Sequence, residues 1–361
     1  MTTPRMAFFG SSLVSSYWNG AATYYRGIIR ALDRLGWDIT FFESDAYDRQ
    51  THRDIDDPDW ATVVVYAAED ASVVRRLMTS LDRFDVLVKA SGVGVFDDLL
   101  EDGLLEVRRS HQLCVFWDVD APATLERLHA DPADPFRTCV PRYDLILTYG
   151  GGAPVVSAYA ALGARHCVPV YNGLDPDTHH PVEPDPRFAW DIALLVNRLP
   201  DREARIEEFF FRPAAQLASR RFLLGGSGWG DKLMPDNVTW LGHVPTADHN
   251  AFNSSPTAVL SVNRESMARI GYSPATRIFE AAGAGACIIS DAWAGLEQFF
   301  EPGREILTVD GADDVTACVD ALDQRLARAV GQAALRRVLQ EHTYDRRAQD
   351  VQIAMGVMAA S

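Results

Sequence analysis

The feature that most constrains this chain is a twice-repeated alternation of short apolar runs with longer amphipathic segments. The first series predicts five strands, Arg5–Phe9, Asp38–Glu43, Phe84–Lys89, Gln112–Trp117 and Asp144–Tyr149. Helical segments are predicted between them, at about 71–81, 95–107 and 121–128. Near-continuous apolar strands separated by helical spacers are typical of a parallel sheet covered on both faces. The first half is therefore predicted to be an α/β domain.

A second series of the same kind follows a proline-rich stretch at 176–186, which disfavours both a helix and a central strand. Its predicted strands are Ile192–Val196, Arg221–Leu224, Val238–Leu241, Ala258–Val262, Cys287–Ser290 and Ile306–Val309. The chain should thus form two α/β domains, 1–172 and 173–340, followed by a final segment, 341–361. Because open parallel sheets bind ligands at the carboxyl ends of their strands, we expect a ligand cleft between the two sheets.

Charge and composition exclude several classes of function. The 361 residues carry 34 Lys+Arg and 50 Asp+Glu, a net charge of −16, which disfavours nucleic acid and anionic membranes as partners. The five cysteines form no CxxC pair, and no apolar run reaches the roughly 20 residues of a membrane span. We expect a cytoplasmic protein without a metal site. The adjacent His179 and His180 lack the spacing of a helical metal site and are predicted to be solvated.

The stretch Ser261–Glu305 contains the clearest candidate site. Ser273 and Pro274 suit the N-cap and first position of a helix, and Arg277 and Glu280 share a face of it. A helix N-terminus beside a guanidinium suits a diphosphate, and a carboxylate one turn further on can accept the hydroxyls of a ribose. The alternative interpretation is a surface helix with an ordinary Arg–Glu pair.

A glycine-rich turn is predicted within Phe222–Gly230. Its glycine spacing fits a Walker A loop, but Asp231 stands in the lysine position and Leu233 in the Ser/Thr position. A P-loop is therefore excluded. The turn either presents Gly226 and Ser227 to a nucleotide or simply follows a strand.

In the first domain, Asp118 and Asp120 follow a strand at its carboxyl end. Either carboxylate there is placed to act as the general base that deprotonates an acceptor. Asp120 has the alternative role of capping the following helix, as Asn19 does for an earlier one. The rim of the cleft is expected to hold Ser11, Ser12, Asn19 and His243.

Several motifs together resemble the nucleotide-binding region of glycosyltransferases with the GT-B fold and, more narrowly, the spore-maturation CgeB-like group. They are Asn263-Arg264, Gly271-Tyr272-Ser273-Pro274, Arg277-x-Phe279-Glu280-Ala281-Ala282, Ser290-Asp291, Gly295-Leu296-Glu297 and Pro302–Ile306. The resemblance extends over most of the chain and is densest between about 190 and 310.

This resemblance implies two Rossmann-like domains facing each other, with the final helix packing back on the first. It implies that the protein transfers a sugar from a nucleoside-diphosphate sugar, with a UDP-sugar as the leading candidate, and needs neither a metal ion nor a further cofactor. The acceptor is expected to be a hydroxyl or amine of a small molecule, glycan or protein. Glu280 then resembles the ribose ligand. Tyr272 replaces the glutamate of many retaining enzymes, which leaves the stereochemistry open. The remaining donor-binding candidates are Arg277, Arg264, Asn263, Arg198, Arg202, Ser273, Tyr272, Gly226 and Ser227.

Two other functions remain open from the sequence. A two-Rossmann nucleotide-sugar epimerase would use the same contacts to ribose and diphosphate. A non-catalytic nucleotide-sugar-binding protein would bind without turnover.

Overall fold

A computed structural model describes residues 3–17 and 19–356 of the chain. These residues form two compact units. The N-terminal unit runs to Asn172 and also includes the C-terminal segment from Tyr344, whereas the C-terminal unit spans Gly173–Thr343. The second unit is therefore inserted into the first, ahead of its last helix.

The N-terminal unit is built on a seven-stranded parallel sheet in the order β3-β2-β1-β4-β5-β6-β7. Its strands are β1 (Arg5–Phe9), β2 (Asp38–Asp45), β3 (Thr62–Ala67), β4 (Val86–Ala90), β5 (Leu113–Asp118), β6 (Leu145–Thr148) and β7 (Cys167–Pro169). Its helices are α1 (Ala22–Arg34), α2 (Ala71–Met78), α3 (Asp97–Val107), α4 (Ala121–Ala130), α5 (Phe136–Cys139), α6 (Gly152–Ala161) and α14 (Tyr344–Ala354).

The C-terminal unit is built on a six-stranded parallel sheet in the order β10-β9-β8-β11-β12-β13. Its strands are β8 (Ile192–Leu195), β9 (Phe222–Gly225), β10 (Val238–Gly242), β11 (Ala258–Ser261), β12 (Ile288–Asp291) and β13 (Leu307–Val309). Its helices are α7 (Pro200–Ile206), α8 (Arg212–Gln216), α9 (His249–Ser254), α10 (Glu265–Ile270), α11 (Thr276–Gly283), α12 (Ala312–Ala321) and α13 (Gln324–Glu341), and a π-helical turn, Glu207–Phe211, joins α7 to α8.

Each sheet contains the strand order 3-2-1-4 of a Rossmann fold. The first three strands are added toward one edge of the sheet, and the fourth is added on the other side of the first. In the C-terminal unit this switch point lies between β8 and β11, which are direct neighbours. The predicted α/β fold with two parallel sheets is confirmed. Ligands of such sheets bind at the switch point, so the loops after β8 and β11 are where a site is expected.

The structure corrects the prediction at the start of α1. This helix begins at Ala22 with Ala21 as its N-cap, whereas Asn19 was expected to cap it. The Asn19 side chain instead donates to the carbonyls of Ser12 and Ser15 at 2.8 and 3.0 Å. The Asn19 side chain thus stabilises the loop after β1 and does not cap the helix.

The last helix, α14, belongs to the core of the N-terminal unit. A Cβ on Gly27 of α1 would lie 2.2 Å from the ring of Tyr344, so only glycine lets the two helices approach this closely. Among the described residues, none of the helices is long and apolar enough to cross a membrane.

Candidate functional site

The switch point of the C-terminal sheet brings a guanidinium to the end of β8. Arg277, on the first turn of α11, is partly buried and donates through Nη1 to the carbonyl of Leu195 at 3.0 Å. Desolvation lowers the pKa of Arg277, with attraction from Glu280 and Asp291 acting in the opposite direction. One predicted cation is therefore fixed at the edge where ligands of this fold bind.

A second guanidinium, that of Arg202 on α7, is buried, and its Nε has no hydrogen-bond partner. Its Nη1 makes only a long contact, 3.4 Å, to the carbonyl of Asn197. Burial lowers the pKa of Arg202, and repulsion from Arg277 and Arg264 lowers it further. A buried, incompletely paired cation is unfavourable unless an anion reaches it.

Two uncharged donors at the same edge are also left unpaired. Asn263 follows β11, and its Nδ2 is buried without a partner. Ser273 is buried, and its hydroxyl is unpaired as well. The prediction that Ser273 caps α11 is wrong, because Ala275 is the N-cap and no side chain caps the helix. The Ser273 hydroxyl can therefore form a hydrogen bond with a ligand.

The other two predicted arginines differ from these because acidic side chains already neutralise them. Arg198 binds Glu203 and Asp231, each at 2.7 Å. Arg264 donates from Nε to Asp201 at 2.6 Å. The structure therefore divides the four predicted arginines into a paired set and the set of Arg202 and Arg277, in which no carboxylate forms a salt bridge within the described residues.

A carboxylate that the sequence analysis did not assign to the site positions Asn263. Asp291, buried at the end of β12, accepts from the backbone N–H of Asn263 at 3.0 Å and from Arg205 Nη2 at 2.6 Å. Arg205 also donates from Nε to the Asn263 carbonyl at 3.0 Å. Burial raises the pKa of Asp291, and the contacts with Asn263 and Arg205 oppose that rise. The Ser290-Asp291 pair was visible in the motif, but its partners are distant in sequence.

The predicted glycine-rich turn lies against the end of β8. A Cβ on Gly226, whose φ is 117°, would stand 2.0 Å from the carbonyl of Val196, so this position requires glycine. The amide of Ser227 donates to Asn197 Oδ1 at 2.9 Å. Gly226 and Ser227 therefore lie beside the loop after β8, in which the carbonyl of Asn197 accepts the long contact from Arg202.

The segment before α11 has an unusual backbone at Tyr272, whose φ is 49°. The Tyr272 amide donates to the carbonyl of Ala294 at 2.6 Å, and a Cβ on Gly295 would lie 2.2 Å from the Tyr272 ring. Left-handed backbone at a bulky residue is costly and persists only where the surroundings fix it. This conformation brings Ser273 and α11 to their observed places.

Glu280 lies one turn into α11, with 18% of its side chain exposed. Its Oε1 is 3.9 Å from Nε2 of His179. The prediction that His179 is solvated is wrong, since only 7% of it is exposed, whereas His180 is exposed. His243 is also exposed, at the loop that follows β10. Linker composition predicted solvent exposure correctly for His180 and incorrectly for its neighbour.

In the N-terminal unit, Asp118 ends β5 as a fully buried residue. Its Oδ1 accepts from the Asp120 amide and the Thr124 hydroxyl, both at 3.0 Å, and its Oδ2 accepts from Tyr159. Burial raises the pKa of Asp118, and the hydrogen bonds from Tyr159, Ser91, Asp120 and Thr124 oppose that rise. This geometry favours a role in positioning the start of α4.

Asp120 is the N-cap of α4, but its side chain makes no capping hydrogen bond and the residue is exposed. The prediction of a capping side chain at Asp120 is therefore wrong, because Asp118 serves the helix start in its place. Of the two predicted catalytic carboxylates, Asp120 is the one that solvent and solutes can reach.

The rim residues Ser11 and Ser12 are both buried in the loop after β1. Ser11 donates to Asn19 Oδ1 at 2.9 Å, and Ser12 donates to Glu43 Oε1 at 3.0 Å. Glu43, buried in β2, also accepts from the Leu13 amide at 2.7 Å. These polar groups are saturated by one another.

Comparison with known proteins agrees with this architecture. Residues 202–352 match a protein-family model described as glycosyl transferase-like. A comparison with curated protein sequences gives no significant match. Among solved structures, sucrose-phosphate synthase from Thermosynechococcus elongatus superposes with a TM-score of 0.72 at 15% identity, covering 99% of this chain and 100% of that one.

Two further structures are similar over nearly the whole chain. Anabaena HepE, solved with UDP and glucose, has a TM-score of 0.66 at 12% identity and covers 98% of this chain and 100% of its own. The T4 phage BGT, solved with its UDP-glucose substrate, has a TM-score of 0.58 at 10% identity and covers 97% and 99%. The fold is the GT-B fold of glycosyltransferases. Most of the residues that match the family model, 202–343, lie in the C-terminal unit of this fold. The matches do not single out the CgeB-like group, which stays a prediction.

Proposed function

We propose that this protein transfers a sugar from a nucleoside-diphosphate sugar, with UDP as its nucleotide, to an acceptor hydroxyl or amine. The observation that carries the proposal is a set of unpaired buried donors at the switch point of the C-terminal sheet. Arg202 Nε, Asn263 Nδ2 and Ser273 Oγ are the buried side-chain atoms of the C-terminal unit that lack a partner among the described residues. Groups that can all donate favour an anionic ligand.

A diphosphate leaving group fits this set in charge as well as in hydrogen bonding. When the bond between the anomeric carbon and the diphosphate oxygen breaks, negative charge develops on the diphosphate. Fixed donors that already point to that position stabilise the charge without reorganising. Arg202 and Arg277 supply two positive charges, so we propose transfer that needs no divalent ion at the diphosphate.

The nucleotide is proposed by analogy with proteins of the same fold. HepE was solved with UDP and the T4 phage BGT with UDP-glucose. Glu280, one turn into α11 and partly exposed, is proposed to accept both ribose hydroxyls.

On the acceptor side, we propose that Asp120 is the general base. It removes the proton of the acceptor hydroxyl or amine as the acceptor atom bonds to the anomeric carbon and the diphosphate departs with the electrons of the broken bond. The exposed carboxylate of Asp120 is reachable by an acceptor, whereas Asp118 is buried.

The direct test is thermal unfolding with UDP, GDP, ADP, CMP and dTDP. A ligand that binds only the folded state raises the midpoint by mass action. We expect UDP to give the largest shift and Glu280→Ala to remove most of it. Glu297→Ala, an exposed glutamate in the same motif region, is the matched control and should keep the shift.

The same shift in Glu280→Ala would contradict the proposed ribose contact, and a uniform shift for all nucleotides would contradict UDP as the preferred nucleotide. Turnover separates the alternative functions. Release of UDP that requires an acceptor supports transfer, whereas conversion of the sugar nucleotide without an acceptor supports an epimerase. Binding of UDP-sugars without either reaction supports a non-catalytic binding protein.

A further inference from the structure

Two histidines form a cluster with Glu280 in the C-terminal unit, and the proposed transfer uses only the glutamate of the three. His179 lies in the segment before β8, His249 begins α9 and Glu280 lies on α11. One potential ligand atom from each of the three residues lies within 4.8 Å of the others. His179 is buried, and the other two are partly buried.

The Thr178 hydroxyl contacts both the carbonyl of Asp175, at 3.1 Å, and Nδ1 of His179, at 3.0 Å. When this hydroxyl donates to the carbonyl, its oxygen accepts from His179 Nδ1. In that tautomer, Nε2 presents its lone pair to Glu280 Oε1 at 3.9 Å. A lone pair facing a carboxylate is unfavourable unless a cation lies between them.

His249 is oriented in the same way. Its Nε2 lies 3.3 Å from the carbonyl of Val244, which can only accept, so Nε2 carries the hydrogen and Nδ1 the lone pair. Burial lowers the pKa of His249, with repulsion from His179 and His243 in the same direction and attraction from Glu280 opposing it. An imidazole whose second nitrogen donates to a fixed acceptor is the usual arrangement of a metal ligand.

The segment that carries His179 is held in place from several sides. Asn250 of α9 donates to the Thr178 carbonyl at 3.0 Å and accepts from the His180 amide at 3.3 Å, so it fixes the backbone on both sides of His179. A Cβ on Gly283 of α11 would lie 3.1 Å from the His179 carbonyl, and the absent side chain permits this approach. The cluster is therefore built by three separate parts of the chain held in one arrangement.

We propose that His179, His249 and Glu280 bind a divalent transition metal ion such as Zn²⁺, and that the bound ion competes with the nucleotide for Glu280. Two imidazoles and one carboxylate are a known protein ligand set for zinc with an open fourth position. Zinc–ligand distances near 2.0–2.2 Å put the ligand atoms about 3.4 Å apart, so the cluster closes by little more than about 1 Å. The metal site does not depend on the proposed function. The competition does, because it needs Glu280 as the ribose ligand.

Metal binding is tested first, without nucleotide. Chelator-treated protein is titrated with Zn²⁺ against a chromophoric chelator, and we expect one tight equivalent. His179→Ala and Glu280→Gln should each weaken binding at least about tenfold. His180→Ala, the exposed neighbouring histidine, is the matched control and should bind as the wild type does. Mg²⁺, which prefers oxygen ligands, should not displace Zn²⁺.

Thermal unfolding in the presence of chelator shows whether each variant is folded, and the isosteric Glu280→Gln keeps the test valid if His179→Ala is unstable. Equal Zn²⁺ affinity in the wild type, His179→Ala and Glu280→Gln would overturn the proposed metal site.

Competition is tested by repeating the Zn²⁺ titration with saturating UDP. We expect UDP to weaken Zn²⁺ binding and Zn²⁺ to weaken UDP binding by the same factor, since coupling between two ligands is reciprocal. Tight Zn²⁺ binding that UDP does not affect would support the metal site and overturn the competition. UDP binding without any site-specific Zn²⁺ binding would overturn the metal site and leave the proposed transferase intact.

Discussion

Near the carboxyl edges of the two sheets, two sets of buried polar groups differ in whether they are already paired within the fold. In the N-terminal unit, Asp118 and Glu43 have their oxygens occupied by donors of the same unit. In the C-terminal unit, Arg202, Asn263 and Ser273 each bury a donor with no partner. A hydrogen bond made within the fold stabilises it, whereas an unmade one costs about 1–3 kcal/mol until a ligand supplies the acceptor. The groups at Asp118 and Glu43 are thus already paired within the fold, whereas those at Arg202, Asn263 and Ser273 can still bind a ligand. The difference holds for these residues and not for the whole of each unit, because the Ser44 hydroxyl of β2 is also buried without a partner among the described residues.

The largest expected effect that tests this comparison comes from replacing an arginine of the unpaired set. Arg202→Ala should weaken UDP binding about 100-fold, because it removes a charged donor from the proposed diphosphate site. It should leave the melting temperature of the free protein unchanged or higher, because it also removes a buried cation without a carboxylate partner. Isothermal titration and thermal unfolding measure the two effects.

Arg198→Ala is the matched control for this experiment, since Arg198 is already bound to Glu203 and Asp231. We expect it to change UDP affinity less than about threefold. If Arg198→Ala weakened binding as much as Arg202→Ala, the distinction between paired and unpaired cations would be lost.

The two aspartates of the N-terminal unit provide the second test. Asp120→Asn should lower turnover about 100-fold with UDP affinity unchanged, because it removes the proposed base. Asp118→Asn should keep turnover within about threefold of the wild type, because the amide retains an oxygen for Thr124 and the Asp120 amide. Initial rates with a transferable acceptor measure both. The reverse order of effects would make Asp118 the base.

Asp118→Asn also has an expected dependence on pH. Burial raises the pKa of Asp118 in the folded protein above its unfolded value, so the wild type loses stability relative to this variant as pH rises above about 4. Denaturant unfolding at several pH values measures the difference. A difference that grows toward acid pH would contradict the burial of this carboxyl group.

The smallest expected effect belongs to a single hydroxyl. Ser273→Ala should weaken UDP binding by about 1 kcal/mol, or roughly fivefold, with no loss of stability, because the hydroxyl has no partner in the fold. A loss of stability with unchanged affinity would instead return Ser273 to the capping role that its sequence position indicates. Isothermal titration beside thermal unfolding separates the two results.

The sequence predicted the architecture well because buried parallel strands are continuous apolar runs. The strand Arg5–Phe9 was predicted with its observed bounds, whereas β3 and β7 were missed, since both are edge strands with little fully buried surface. Apolar periodicity reports burial, and edge strands have less of it.

The sequence indicated several polar residues that the structure places at the switch point, but not which of them pair with one another. Residue spacing identifies Arg198 and Arg202 alike, and it gives no information on which of them meets Glu203 and Asp231. Spacing likewise did not indicate that Asp118, and not Asp120, accepts the hydrogen bonds at the start of α4, since the direction of a side chain there depends on the packing around it. The burial of His179, which was predicted to be solvated, was missed because its neighbours on α9 and α11 are remote in sequence.

The insertion of the C-terminal unit has a consequence for engineering. Its first and last residues lie side by side, because Leu174 pairs with Thr343 and its amide donates to the His342 carbonyl at 2.8 Å. A module whose two ends meet in this way can be transplanted between host proteins, or circularly permuted, by exchanging one contiguous piece of the gene. The host would then need its own closing helix, the counterpart of α14, encoded after the module and not before it.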